Sequence, residues 1–414
     1  LSGPVMALPG GALFATILAE QRYERVAPTT YVNQVFGLPL SNTLRGYSER
    51  VRSAYVEVRA PLVSDQARFA PLRGLEVQVA ARIDATRVNA SPDPKDDPQI
   101  LYERYRGSER PVMDFTAGVK VRPLSRLLLR ASLATGETSP PLQQLAGGSA
   151  QGAAIDPKRG NQIIAPPAYT LIVFKDPLVP ERAATLSAGF VANPFGESGT
   201  KLSVDYSHIR RSREAGGPVG SALVILYYED RYPGRVTRLP LTAEDAAKGY
   251  TAGAVTQIDT SYTTVGWTTI DAVDARIDLP FRSARHGDIG VFLAGTWQPL
   301  YRHYLANGYP LQNLTNRIDG ALALRGNAGL NWTKGRLELG LAAQYYGAYS
   351  VEQGSALTTT LNPRLTARQG SARIPASVTL DLAVAYRIPF DPGAARGRTL
   401  DLRFGIEDLL DHRP

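Results

Sequence analysis

The tightest constraint on this chain is alternation with a period of two, clearest between Ile374 and Asp411. There Val378, Leu380, Leu382, Val384, Tyr386 and Ile388 fall on one side of an extended strand, and Thr379, Asp381, Ala383, Ala385 and Arg387 on the other. One face is apolar and the other is wet. After the turn DPGAARGR the pattern restarts, with Leu400, Leu402, Phe404 and Ile406 opposing Asp401, Arg403, Gly405 and Glu407. This predicts a hairpin about ten residues tall per arm, the length a tilted strand needs to cross the hydrocarbon of a bilayer. No helical period fits there.

The same alternation recurs along the chain. Ala54, Val56, Val58 and Ala60 oppose Tyr55, Glu57 and Arg59, and Leu75, Val77, Val79, Ala81, Ile83 and Ala85 oppose Glu76, Gln78, Arg82, Asp84 and Thr86. Met113, Phe115, Ala117, Val119 and Val121 alternate with Asp114, Thr116 and Lys120, and a PLSR turn leads into Leu127, Leu129, Ala131 and Leu133. Further strands are expected over 13–26, 183–192, 201–211, 265–279, 288–301, 322–333 and 336–349, about thirteen in all. The polar stretch from Tyr31 to Arg50 reads as a loop, and TAEDAAKG as a short helix with Thr242 as its N-cap. Connections alternate in length: short near Asp65, Leu124, Phe195, Ala284, Lys334 and Pro392, long near Val35, Asp93, Asp156, Ala246, Gly308 and Asn362. Short turns on one rim and long loops on the other is the layout of an outer-membrane barrel. A soluble β-sandwich has no reason to keep that parity.

Composition is consistent with such a wall. Hydrophobic residues make up 43% of 414 positions, an unremarkable average, because a spanning strand shows lipid only every second side chain. No apolar run of about 18 residues exists to make a spanning helix. Cysteine is absent, which removes disulfides, thiolate metal sites and cysteine nucleophiles. The formal charge of +8 comes from arginines dispersed among acids, which argues against nucleic acid and for contact with anionic lipid headgroups or an anionic ligand. The opening LSGPVMALPGG has no signal-peptide features, so the start reads as a cut.

No enzyme motif is present. His208, His286, His303 and His412 have no ligand spacing among them, and Asp93, Asp96 and Asp97 lack the glycine and distal glutamate of a calcium loop. P-loop, GxGxxG and GxSxG patterns are missing. Asp274, Asp278, Asp381, Asp401 and Glu407 instead face a lumen together with Arg276, Arg387 and Arg403, as a charge network lining a wall.

Several segments together resemble the C-terminal barrel portion of TonB-dependent outer-membrane receptors. They are VMDFTAGVKVRPLSRLLLRASLATGETSPPLQQL, DPKRGN, LVPERAATLSAGFV with Pro180 and Glu181, PGRVTR at Pro233 to Arg238, and the closing LDLRFGIEDLLDHRP. The chain departs from the family where an aromatic-Arg-Ala-Pro-Ser motif would stand at 136–140, and where Glu407 to Asp411 replaces an Asn-Leu-Phe-Asp signature. The resemblance implies an all-β, antiparallel up-and-down transmembrane barrel, residues 1–414 supplying about thirteen of a usual twenty-two or so strands. The plug with its TonB-contacting box, several early strands and the last strand would then lie outside this chain. It also implies the outer membrane of a Gram-negative bacterium, surrounding lipid and lipopolysaccharide, a TonB complex acting through the plug, and no catalysis or cofactor. The import substrate would be a small molecule or chelate such as a ferric siderophore, cobalamin or an oligosaccharide. Ligand contacts are expected from the loops at 136–182 and 213–262 and from lumen residues Arg130, Arg276, Arg403, Asp274 and Glu407. A passive porin or autotransporter barrel and a soluble β-rich binding protein are the alternatives.

Overall fold

The computed structural model describes residues 1–35, 37–44, 46–66, 73–90, 111–138, 148–149, 153–165, 168–172, 178–196, 199–216, 222–305, 310–351, 367, 370–389 and 399–411. Its main sheet has 15 strands, of which all but one follow each other in a single meander. In order these are β1 (Ser2–Leu8), β2 (Gly11–Val26), β3 (Tyr47–Pro61), β4 (Glu76–Ala90), β5 (Val112–Leu124), β6 (Leu127–Thr138) and β7 (Glu181–Ala192), then β8 (Lys201–Gly216), β9 (Thr263–Ser283), β10 (Gly287–Tyr304), β11 (Leu324–Lys334), β12 (Leu337–Tyr346), β13 (Ser377–Pro389) and β14 (Thr399–Ile406). Each pairs antiparallel with the next, and the two-residue strand Gln312–Asn313 pairs with β10 off the path.

Alternation decides which way each side chain points. On β5, Met113, Phe115 and Val119 are 62%, 43% and 40% exposed, whereas Asp114, Thr116 and Lys120 between them are half-buried. That inverts the order of a soluble sheet, and lipid supplies the apolar surroundings the exposed rows need. Tryptophans mark the limits of this band. Trp332 pairs with Ile289 and donates its indole N–H to the His286 carbonyl at 2.8 Å, in the turn between β9 and β10. Trp297, paired with Val273, lies toward the other rim. Interfacial aromatics with one polar end belong at these two levels.

The rims differ as expected. Links 9–10, 125–126, 193–200, 284–286 and 335–336 are short, while 27–46, 91–111, 139–180, 217–262, 305–323 and 347–376 are long. The link at 62–75 belongs to the short rim but is longer than a tight turn. The sites near Asp93, Gly308, Asn362 and Pro392, and His412, lie outside the described residues.

Two expectations are corrected, and the count of about thirteen strands gains one. Among the described residues the meander holds fourteen, because Ser2–Leu8 also pairs, bulging at Pro4. Gly10 makes that turn possible, since a Cβ there would sit 2.4 Å from the Pro61 carbonyl oxygen. The expected loop at 31–50 is in fact a hairpin, Thr29–Val35 with Leu38–Leu44, followed by the start of β3. Thr43 and Leu44 pair with Ser149 and Gly148, so long-range pairing favours extension there over local turn propensity. The second long connection carries an additional helix, α1 (Ala222–Tyr227), before α2 (Ala243–Ala247), which begins at Thr242 as predicted. Helix α1 escaped notice because its pattern is short and apolar all round.

The main packed core lies above the sheet. Residues from the two longest connections, Ala154, Tyr169, Ala222, Ile225, Leu226, Tyr232, Val255 and Ile258, form one buried cluster. Thr170–Ile172 runs parallel to Val255–Asp259, which also pairs with Val236–Arg238. The 139–180 and 217–262 connections thus fold together as a cap on the long-loop rim.

Candidate functional site

The inward face carries a line of charge set by strand register. Consecutive cross-strand partners are Glu76, Lys120, Arg130, Gly189, Asp205, Asp274, Thr296 and Arg325, on β4 through β11. Lys120 lies 3.2 Å from Glu76. Arg130 donates twice to Asp205, at 2.8 and 2.5 Å, passing over β7. Gly189 permits that crossing, because a Cβ there would lie 2.1 Å from the Asp205 Oδ1. Asp274 accepts from the Thr296 hydroxyl at 2.6 Å. Arg276 forks onto Asp278, with the shortest contact 2.6 Å, and its guanidinium sits 5.0 Å from the Phe292 ring centre. A recess of about 460 Å³ opens here, lined among others by Asp205, Asp274, Arg276, Thr296, Arg325 and Tyr346.

Of the residues singled out in the sequence, Asp274 and Arg276 line this recess, and Arg130 reaches it through Asp205. Arg403 lies on β14, three strands past Arg325 on β11, and Glu407 stands exposed just beyond the end of β14. Asp205, Thr296 and Arg325 were missed. Their signal was present as polar residues at inward positions, but which of them meet depends on register between strands.

The cap is held by a second, more buried network. The Arg238 guanidinium forks onto the Asp156 carboxylate at 2.7 and 2.9 Å and reaches Glu229 at 2.8 Å. Asp156 is fully buried and also accepts from the Lys158 N–H at 3.1 Å, capping a single 3₁₀ turn. Gly160, at φ 66°, ends that turn in the left-handed region. Lys158 lies 3.3 Å from both Glu229 and Asp230. Arg159 donates to Asp245 at 2.8 Å and stacks 4.4 Å from the Tyr250 ring centre. Burial works against the Arg238 cation, but hydrogen bonds to Asp156 and Glu229 outweigh it and bind its proton more tightly than usual. The segments DPKRGN and PGRVTR, far apart in the chain, therefore meet in one buried ion cluster that ties the two connections together.

Tyr169 lies in the same core, and burial pushes its phenol from 10.0 up to about 12. A raised value means the folded cap holds this proton more tightly than the unfolded chain does. The contribution is therefore complete below pH 10 and lost as pH rises toward about 12. Cap unfolding followed by near-ultraviolet spectroscopy is expected to turn pH-sensitive in that window, and Tyr169→Phe is expected to flatten the profile. An unchanged profile would place the sensitivity elsewhere.

An antiparallel meander with one face for lipid, one for water, and loops sorted by rim is the wall of an outer-membrane β-barrel. The family model for the TonB dependent receptor-like β-barrel matches residues 7–409, and the chain belongs to that family, whose barrels lie in the outer membrane of Gram-negative bacteria. No curated protein matches it. Among solved structures it is similar to a ferric enterobactin receptor mutant from Pseudomonas aeruginosa (PfeA) in complex with enterobactin, with TM-score 0.52, 13% identity, and coverage of 97% of this chain and 50% of that one. It is also similar to the siderophore receptor PirA from Acinetobacter baumannii, with TM-score 0.49, 13% identity, and coverage of 97% and 51%. The FrpB iron transporter from Neisseria meningitidis gives TM-score 0.47, 11% identity, and coverage of 97% and 52%. The chain spans about half the length of these proteins. The family and these neighbours are receptors and transporters, not enzymes.

Proposed function

We propose that residues 1–414 supply part of the wall and of the outer cap of an energised importer for ferric chelates of the siderophore type. The observation that carries this reading is the latched cap above a charge-lined inner wall, an arrangement suited to capturing a polar ligand outside and passing it along charged side chains. The enterobactin complex of the same fold supports the choice of ligand class. Asp274, Arg276 and Arg325 are proposed to meet the ligand at the recess, and Arg130 positions Asp205 beside them. Arg403 and Glu407 would act further along the wall. Among the described residues β1 and β14 each bond one neighbour only. An unmet edge in lipid leaves backbone groups unsatisfied at several kcal/mol apiece, so the chain is read as one portion of a larger closed barrel. Transport would draw on a plug and the TonB complex.

The test is uptake of radiolabelled ferric catecholate by cells carrying the whole receptor. Saturable uptake that disappears when TonB is deleted or the proton gradient is collapsed is expected. Uptake that persists without either would make the barrel a passive pore. Arg276→Ala is expected to weaken uptake affinity about tenfold, the loss of one charge-assisted contact. Undiminished affinity in that variant would remove the recess from the ligand path.

A further inference from the structure

The lipid-facing side of β2, β3 and β4 carries an arrangement that neither the fold nor the import reading requires. Near the long-loop rim, three successive register rows on that side read Gln21, Arg52, Ala85, then Tyr23, Arg50, Arg87, then Arg25, Ser48, Asn89. The rows immediately below, on the same side, are Ala19, Ala54, Ile83 and then Ile17, Val56, Ala81. Ile17, Val56 and Ile83 are exposed, as residues of the apolar band are. Arg25, Arg50, Arg52 and Arg87 are exposed as well.

The acids of the same strands point the other way. Glu20, Glu24, Glu49 and Asp84 occupy the alternate rows. Arg82, also on that inner side, pairs with Asp84 at 2.8 Å and with Glu20 at 3.7 Å. The nine outward positions thus hold four cations and no carboxylate. Arg50 and Arg87 face each other directly across β3 and β4, with Cβ atoms about 5 Å apart. Arg52 stands two residues below Arg50, its Nε donating to Gln21 at 3.3 Å. Tyr23, in the middle row, is an aromatic of the interfacial kind.

Position decides what such a patch would meet. The long connections 27–46 and 91–111 leave from this end of the strands, so the arginines lie at the headgroup level of the outer leaflet. The grid spans about 10 Å across strands and about 13 Å along them, enough for a headgroup with more than one anionic group. We propose that Arg25, Arg50, Arg52 and Arg87 form a binding site for the phosphorylated headgroup of an outer-leaflet glycolipid of the lipid A type, its acyl chains lying down the Ala19, Ile17 and Val56 rows. Guanidinium forks match phosphate oxygens. The site rests on the outer-membrane placement and not on import.

The test uses the whole receptor in neutral detergent micelles, titrated with bisphosphorylated lipid A, with the same lipid stripped of its phosphates, and with inorganic phosphate as competitor. Phosphorylated lipid is expected to bind at least about tenfold tighter than stripped lipid, and inorganic phosphate is expected not to displace it. Combining Arg50→Gln with Arg52→Gln is expected to cost about tenfold or more, and the corresponding lysine pair to retain most of the binding. Equal affinity for the two lipids, displacement by inorganic phosphate, or an unaffected glutamine pair would each overturn the site. Heat-modifiable gel mobility reports whether the variants fold, and the two-lipid comparison on the unaltered receptor decides the matter if they do not. Uptake lost with lipid binding intact would count against import alone, whereas release into buffer without detergent would overturn both.

Discussion

Arg238→Ala is expected to unfasten the cap while leaving the wall intact. The substitution strands the fully buried Asp156 carboxylate and removes the fork that joins the 139–180 and 217–262 connections. Breaking one partner of a buried ion pair costs about 3–5 kcal/mol. Glu229 also loses its Arg238 contacts, and Lys158 at 3.3 Å stays beside it. Amide exchange over Ala154–Asp156, Gln162–Ile164 and Val255–Asp259 should accelerate by orders of magnitude, while β7 through β10 keep their protection. Equal protection in the variant and the parent would mean that the buried apolar cluster around Ile225 and Ile258 holds the cap without the ions. If the import reading holds, ligand affinity should fall with cap order, and expression in the membrane should not.

Leu293→Arg is expected to be the most damaging single change on the wall. Leu293 is 57% exposed, so in a water-soluble sheet an arginine there would be nearly neutral. It sits on β10 between the levels of Trp332 and Trp297, inside the apolar band. An arginine near the middle of such a band costs about 2–4 kcal/mol. Folding into lipid vesicles, followed by denaturant titration, would read that cost directly. A matched Asn327→Arg change, on an inward position paired with Ala294, should cost far less. If the two variants proved equally stable, lipid would not lie against the Leu293 side, and the barrel reading would fail with it.

The spanning strands were legible because each announces itself locally. Met113, Phe115 and Val119 on β5 and Leu400, Leu402 and Phe404 on β14 alternate without help from any distant residue, and on β5 the exposure follows that pattern. Helix α2 was legible for the same reason, since Thr242 caps it by accepting from the Asp245 N–H three residues on. What escaped was contributed from far along the chain. The hairpin at Thr29–Leu44 joins a strand pair through Gly148–Ser149, and helix α1 is apolar because residues from both connections enclose it.

Which side chains of each strand face lipid, and which rim carries the long connections, can be read from local sequence, because a period of two and the position of turns are properties of neighbouring residues. Which charges meet is settled by the fold. Arg130 finds Asp205, 75 positions along the chain, across Gly189, and Arg238 finds Asp156 at a separation of 82. Such pairs depend on the register between strands and on the docking of two connections, which are set by the sum of packing over the whole sheet and cap.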